Sequence, residues 1–432
     1  MRRHFNFAAI FALGFVIALG GCATALQPAS SPEAVGLSSE RLKAISAAFQ
    51  AGVDKREIPG AVVLIARRGK IAYFESFGYR DREAIAPMNR DAIFRIASMT
   101  KPITSVAAMM FVEEGKLNLS DPVSRYLPEF KDVKVGVERK DSTGKVELAL
   151  EMPRREMTVL DLFRHTSGIT YDFTGKSLVR EQYNKAKVRE PVQNNAEFVS
   201  KLARVPLQNH PGTVWDYSFS TDVLGRIVEV LGGMELEQFF AERIFKPLGM
   251  TDTTFWVSDP AKQARIAEAQ SDPTTGKRPA LPDRTKKSWQ SGGGALVSTA
   301  GDYARFCQML LNGGELGGVR LLSRKTVELM AQDHLPQGIK INHFPPPVID
   351  VRPEAGNGFG LGFMMRTVDG RSTIAGNVGD YSWPGIFGTY FWVDPKKDMF
   401  AIMMIQVPAA AGAVRYKYWT EIRSLVLGAH VN

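Results

Sequence analysis

Strand-forming patterns gather at the two ends of this chain and helical patterns fill its middle, which narrows the possible folds more than any other feature. Gly60 to Ala66 is β-rich, Arg68-Gly69 turns, and Lys70 to Phe77 returns as a hairpin. Near the other end Phe359 to Met365, Thr373 to Ala375, Gly388 to Val393 and Met399 to Gln406 read as strands, and a last helix runs from about Ala413 to Leu427. Apolar residues recur at helical spacing in Leu160–Arg164, Ala196–Arg204, Val223–Leu231, Leu236–Ile244, Asp302–Leu311 and Arg324–Gln332. Leu37-Ser38-Ser39-Glu40, followed by Leu42, Ile45 and Phe49, is a capped amphipathic helix. The simplest fold is α/β of the α+β type: one antiparallel sheet built from both chain ends, flanked by helices, with a mainly helical lobe inserted. The expected boundaries are an α/β lobe over about 37–95 and 295–432 and a helical lobe over about 96–294. Lys131 to Arg155 is polar and reads as an exposed hairpin around Asp141-Ser142-Thr143-Gly144; Pro336 to Gly356 is aperiodic and reads as a long loop.

The N-terminus departs from this globular pattern. Met1-Arg2-Arg3-His4 is basic and Phe5 to Leu19 is almost wholly apolar, shorter than the roughly 20 residues of a spanning helix. Residues 1–21 therefore read as a signal peptide. Leu19-Gly20-Gly21-Cys22 resembles a bacterial lipobox, which implies cleavage before Cys22 and a lipid on that cysteine, with 22–36 as a tether. The other reading is plain secretory cleavage near Ala23-Thr24-Ala25, giving a soluble periplasmic protein. With Cys22 committed to lipid, Cys307 has no partner and no disulfide is expected. The formal charge of +9 is spread along the chain without a dense cluster, so a nucleic-acid partner is not expected. The only membrane contact expected is the N-terminal anchor.

Several hydrolase chemistries are excluded by their missing signatures. The chain has no Gly-x-Ser-x-Gly elbow, no phosphate-binding Gly-x-x-x-x-Gly-Lys-Ser/Thr loop, and no Gly-x-Gly-x-x-Gly after a strand. None of its six histidines are paired at the spacing of a helical zinc site.

What remains is Ser-x-x-Lys, present twice. Ser142-Thr143-Gly144-Lys145 lies in a polar turn and reads as surface. Ser98-Met99-Thr100-Lys101 opens an apolar helix carrying Ile103, Val106, Met110 and Phe111, after the apolar run Ile93-Phe94-Arg95-Ile96-Ala97. A spacing of three sets Ser98 and Lys101 on one helix face, within reach of each other. A lysine held in a dry site can share or accept the serine proton. The helix start points backbone N–H groups and positive dipole at the serine. From the local pattern two readings stand: an activated nucleophile, or a capping serine beside a surface lysine.

Phe94-Arg95-Ile96-Ala97-Ser98-Met99-Thr100-Lys101 resembles the nucleophile helix of the serine β-lactamase and penicillin-binding-protein superfamily, most closely its class C branch and the family VIII carboxylesterases. The resemblance extends from about Leu37 to Leu427 through His165-Thr166-Ser167-Gly168, Trp215 to Gly225, Gly292 to Asp302, and Gly385 to Pro395. It implies a β-lactamase/transpeptidase-like fold, Ser98 as nucleophile, and Lys101 and Tyr217 as its activating pair, with Tyr217 the general base. The family's Tyr-x-Asn is represented by Tyr217-Ser218-Phe219, and its Lys-Thr/Ser-Gly by Trp383-Pro384-Gly385, near the Trp-Gly-Gly of the esterase branch. The backbone N–H groups of Ser98 and Ile386 are then the expected oxyanion hole. Phe219, Trp383 and Gly385 are expected at the substrate pocket, Trp383 as a wall.

Phe219 lacks the amide and Trp383 the ammonium that would meet a β-lactam's side-chain amide and carboxylate. An apolar pocket suits neutral esters better, since a carboxylate there would be buried without a partner. The expected activity is thus a carboxylesterase acting on small, short-chain esters through an acyl-enzyme, with side activity on β-lactams and neither metal nor organic cofactor. The alternatives are a β-lactamase or D-Ala-D-Ala carboxypeptidase, with a loop arginine replacing the missing lysine, and a lipid-anchored binding protein that keeps only the fold.

Overall fold

The computed structural model describes residues 26–342 and 350–431. The expected signal peptide, Cys22 and the start of the expected tether lie outside the described residues, as do 343–349 of the expected long loop. Among the described residues no helix is long and apolar enough to cross a membrane.

The expected antiparallel sheet is present, and both chain ends build it. Its strands are β1 (Gln27–Pro28), β2 (Gly60–Arg67), β3 (Lys70–Asp81), β4 (Ala86–Pro87), β5 (Asn357–Phe359), β6 (Met364–Arg366), β7 (Tyr381–Pro384), β8 (Tyr390–Asp394) and β9 (Met399–Ile405). They run in the order β1-β3-β2-β9-β8-β7-β6-β5, with β4 on β3. The N-terminal hairpin joins the C-terminal strands through β2 and β9, in antiparallel register from Arg67 opposite Met399 to Ala61 opposite Ile405. The described part of the tether adds β1, parallel to β3 at the sheet edge.

Side-chain alternation decides what each face of this sheet covers. Ala61, Val63 and Ile65 of β2 and Met399, Ala401, Met403 and Ile405 of β9 face one core. There they meet α1 (Ser39–Asp54) and the C-terminal helix Gly412–Gly428. Phe49 and Tyr418 pack across that helix pair with ring centroids 5.2 Å apart. Val62, Leu64, Ala66, Phe400, Ile402 and Met404 point the other way, into the larger core shared with the helical lobe. Central strands buried on both faces need apolar residues at every position, which is why β2 and β9 read as continuous runs.

The helical lobe is organised around α2 (Thr100–Glu113), whose residues from Thr100 to Phe111 are all buried. A helix apolar all round belongs in an interior. Through α5 (Ser220–Gly232), which packs directly on it, α2 is joined to α3 (Val159–Phe163) and α4 (Asn195–Leu202), while Ala300–Leu311 returns the chain to the sheet. Phe94–Arg95 pairs with Val297–Ser298 where the chain leaves and re-enters the sheet. The polar excursion forms the hairpin Val135–Lys140 with Val146–Glu151, and its Ser142 and Lys145 are exposed.

Three local expectations differ. Phe359–Met365 is two strands, because Gly362 at φ 109° turns the chain; Gly360 N–H closes the loop on the carbonyl of Phe363 at 2.9 Å. Thr373–Ala375 forms no strand, since arginines take its carbonyls: Arg366 binds Ile374 O at 2.7 Å and Arg423 binds Ala375 O at 3.2 Å. Within the long loop, Lys340–Ile341 pairs in parallel with Val214–Trp215. Cys307 is a free, buried thiol.

Candidate active site

The turn that carries Ser98 sits where α2 meets the sheet. Ala97–Met99 is a single 3-10 turn leading into Thr100, and Ala97 is held at φ 45°, an uncommon conformation for a residue with a Cβ. Such strain persists only where the surroundings enforce it. Here the turn Gly385–Gly388 enforces it from the end of β7. A Cβ on Gly385 would lie 2.4 Å from the carbonyl oxygen of Ile96 and 2.2 Å from Oγ1 of Thr389, so only glycine fits. Thr389 Oγ1 in turn donates to Ile96 O at 3.2 Å. Ile386 follows directly and lines the same cavity as Ser98; among the described residues its N–H has no carbonyl partner.

Lys101 is wholly buried. Its Nζ donates to Ser98 Oγ at 3.4 Å, Tyr171 Oη at 3.1 Å and Gly293 O at 2.6 Å. Three acceptors satisfy the three donors of an ammonium group. The same nitrogen lies 4.6 Å from the centroid of the Tyr217 ring, on its face. Tyr217 Oη accepts from Trp383 Nε1 at 3.3 Å. Ser98, Lys101, Tyr217 and Trp383 thus form one chain of contacts, though 119 positions separate Ser98 from Tyr217 in sequence.

The support of this cluster was not readable from local patterns. Asp222, on the first turn of α5, accepts from Gly293 N–H at 3.0 Å and also binds Ser291 Oγ. It thereby fixes the glycine whose carbonyl receives Lys101. Burial raises the Asp222 carboxyl above its ordinary range, against the pull of Lys101 and these hydrogen bonds. His165 is buried with its ring edge-on to Tyr217, centroids 4.9 Å apart, and its Nδ1 lies 3.1 Å from Ser218 Oγ. Burial, and then the Lys101 charge, push its imidazole well below the usual range, so it is neutral. Below it Asp161 accepts from Arg155, Arg164, Thr158 and Thr166, which anchors the start of α3. His165-Thr166-Ser167-Gly168, Trp215 to Gly225 and Gly292 to Asp302 were the sequence signals near these groups; Asp222 lies inside the second without a role assigned to it, and Tyr171 had no signal of its own.

A cavity of about 520 Å³ opens over Ser98, with Tyr171, Phe173, Phe219, Trp289 and Phe387 among its walls. That is an ordinary size for a small-molecule site. Phe219 lines it as expected. Trp383 does not: it is wholly buried behind Tyr217, and its part in the geometry is the N–H directed at the phenol. Gly385 also lies beneath the lining, wedged between Ile96 and Thr389. Nor are the walls free of cations, because Arg189, Arg284, Lys286 and Lys287 line them too.

Residues 45–422 match the beta-lactamase family. Protein Rv1367c of Mycobacterium tuberculosis is 38% identical over 82% of this chain and 87% of its own length. Esterase EstB of Burkholderia gladioli is 28% identical over 86% of this chain and 92% of its own. Among solved structures, EstCE1, described as a hydrolase with promiscuous acyltransferase activity, superposes with a TM-score of 0.73 at 26% identity, covering 89% of this chain and 98% of that one.

Proposed function

The chain belongs to the beta-lactamase family, and on that premise we propose that it is a serine carboxylesterase cleaving small esters through an acyl-enzyme on Ser98. The observation that carries this reading is the buried Lys101 ammonium, bonded to Ser98 Oγ and lying on the face of Tyr217 beneath an aromatic-walled cavity. The kinship with an enzyme named as an esterase supports a hydrolase acting on esters.

In the proposed cycle Ser98 Oγ attacks the ester carbonyl carbon while its proton passes to Tyr217 Oη, with Lys101 positioned between the two. The carbonyl oxygen becomes an oxyanion and accepts the N–H groups of Ser98 and Ile386. Collapse of the tetrahedral intermediate breaks the C–O bond, and the leaving alkoxide takes the proton back from Tyr217. Water, deprotonated by Tyr217, then attacks the acyl carbon; the bond to Ser98 Oγ breaks, Tyr217 returns the proton to Oγ, and the acid leaves. Trp383 N–H holds the Tyr217 oxygen and offsets the negative charge it carries as the phenolate that takes this proton.

A second reading rests on the groove of about 980 Å³ beside the cavity, which shares Val192, Lys287 and Ser288 with its rim. An alcohol held there could replace water as the acyl acceptor, as the description of EstCE1 suggests for that protein. Slower turnover of β-lactams is also proposed, since the acyl-transfer step is the same while Phe219 and Trp383 offer neither amide nor ammonium.

The test is hydrolysis of p-nitrophenyl butyrate by the chain starting at Ala23, beside its Ser98→Ala variant, with mass spectrometry of the acylated serine. Turnover that is lost in the variant is the expected result. No turnover and no acylation by the unaltered chain would overturn the proposal. Export with lipid on Cys22 is proposed on the leader sequence alone; labelled fatty acid incorporated by the full chain but not by Cys22→Ser is the expected result, and equal labelling of both would overturn it.

A further inference from the structure

We propose that the substrate carries a carboxylate, and that Arg284 in the cavity wall receives it. The inference rests on the esterase reading of the same cavity and names the class of ester it takes.

Four cations line the cavity, and three are already engaged or solvated. Arg189 pairs with Asp172 at 3.1 Å and lies over the Phe173 ring. Lys286 and Lys287 are exposed and face Asp283 and Glu235. Arg284 differs. Its side-chain hydrogen bond is a neutral one, Nη1 to Ser288 Oγ at 2.8 Å, its Nε is buried without an acceptor, and no carboxylate among the described residues forms an ion pair with it. The neighbouring Asp283 lines the same cavity and attracts Arg284 through space, but its carboxylate accepts from Thr285 N–H at 2.8 Å and Thr285 Oγ1 at 2.7 Å and makes no hydrogen bond to the guanidinium.

The surroundings make this charge costly without an anion. Arg95 lies behind the same loop, its Nε donating to Pro282 O at 2.6 Å, and its positive charge repels Arg284. Burial, and then Arg95, push the Arg284 guanidinium down to about 10. A half-buried guanidinium with unfilled donors is costly unless something pairs with it.

The loop is also fixed in advance. Val257 N–H donates to Arg284 O at 2.7 Å, and Gln263 Nε2 to Thr285 O at 3.4 Å. A guanidinium held in place presents a planar fork that matches a carboxylate. It shares its cavity with Ser98, so the ester fitted is one with an acid group on its acyl or its alcohol part. Hydrolysis then consumes one water and yields a dicarboxylic acid with an alcohol, or a hydroxy acid with a simple acid.

Two measurements test this. In the first, kcat/KM is compared for p-nitrophenyl butyrate, p-nitrophenyl hydrogen glutarate and 4-(butyryloxy)benzoate in the unaltered chain, Arg284→Gln and Arg284→Lys. One of the two anionic esters is expected to be preferred over the neutral one. Arg284→Gln is expected to cut that preference at least tenfold, mainly through KM, and Arg284→Lys to restore part of it. A preference unchanged by Arg284→Gln would overturn the inference and leave the esterase reading standing.

In the second, calorimetry follows glutarate and 4-hydroxybenzoate binding to the Ser98→Ala chain with and without Arg284→Gln. Binding of either acid that is lost with Arg284 supports the anion site even if no ester is turned over, which would sink the esterase reading alone. Binding of neither acid, or binding indifferent to Arg284, overturns the inference.

Discussion

The indole N–H of Trp383 donates to the phenolic oxygen of Tyr217 at 3.3 Å, and both residues are buried. A tryptophan standing where related enzymes carry a lysine thus keeps a donor on the proposed base while giving up a full charge. Trp383→Phe removes that donor and keeps an aromatic ring. A fall in kcat of about tenfold is expected from the loss of one hydrogen bond to a reacting group. KM should move less, because Trp383 does not line the cavity. Steady-state kinetics on one chromogenic ester separates the two, and a change confined to KM would contradict the role given to this N–H.

Ser98 and Lys101 act as a unit if the 3.4 Å contact between them serves proton transfer. Ser98→Ala and Lys101→Met should each lower kcat by about a thousandfold or more, and the double variant should be no worse than either alone. Methionine keeps most of the buried volume, so folding should survive and thermal unfolding can verify it. Additive losses in the double variant would mean that the two side chains work independently.

Gly385→Ala tests the oxyanion hole from outside the reacting groups. Its new Cβ would clash with Ile96 O and Thr389 Oγ1, displacing the turn that carries Ile386. Loss of one oxyanion donor lowers kcat by about 10² to 10³. Labelling of Ser98 by a fluorophosphonate should slow in parallel, since that reaction needs the same donors.

Asp161 should make the helical lobe acid-sensitive. Burial alone would raise its carboxyl, but hydrogen bonds from Arg155, Thr158 and Thr166 hold it down to about 2. The folded value lies below the unfolded one, so its stabilisation is present above pH ~4 and is lost as pH falls toward ~2. Asp161→Asn strands the buried side of this arginine cluster and should cost about 3 kcal/mol at pH 7. Urea unfolding at a series of pH values is the measurement. The gap between the two proteins should narrow below pH ~4, and a gap independent of pH would refute the account.

Much of this arrangement was legible in the residues. The apolar runs Gly60–Ala66 and Met399–Ile405 gave the sheet centre, because a strand buried on both faces tolerates no polar residue there. The Ser98-x-x-Lys101 pairing followed from helix geometry, and the exposed second Ser-x-x-Lys was separable by its polar turn. Tyr381–Pro384 was missed because four residues ending in proline carry too little pattern to distinguish a strand from a loop.

Sequence by itself determined which residues could do acyl-transfer chemistry and that both chain ends belong to one sheet, since periodicity and short-range spacing record local geometry. Only the tertiary structure decided what surrounds Ser98. Tyr171, Asp222, Arg284 and Gly293 reach Ser98 from segments 73 to 195 positions away, and Trp383 turns its N–H to Tyr217 across 166 positions. Contacts of that range are fixed by how the lobes pack and which carbonyls and charges are left to be satisfied, and no local pattern in the chain encodes them.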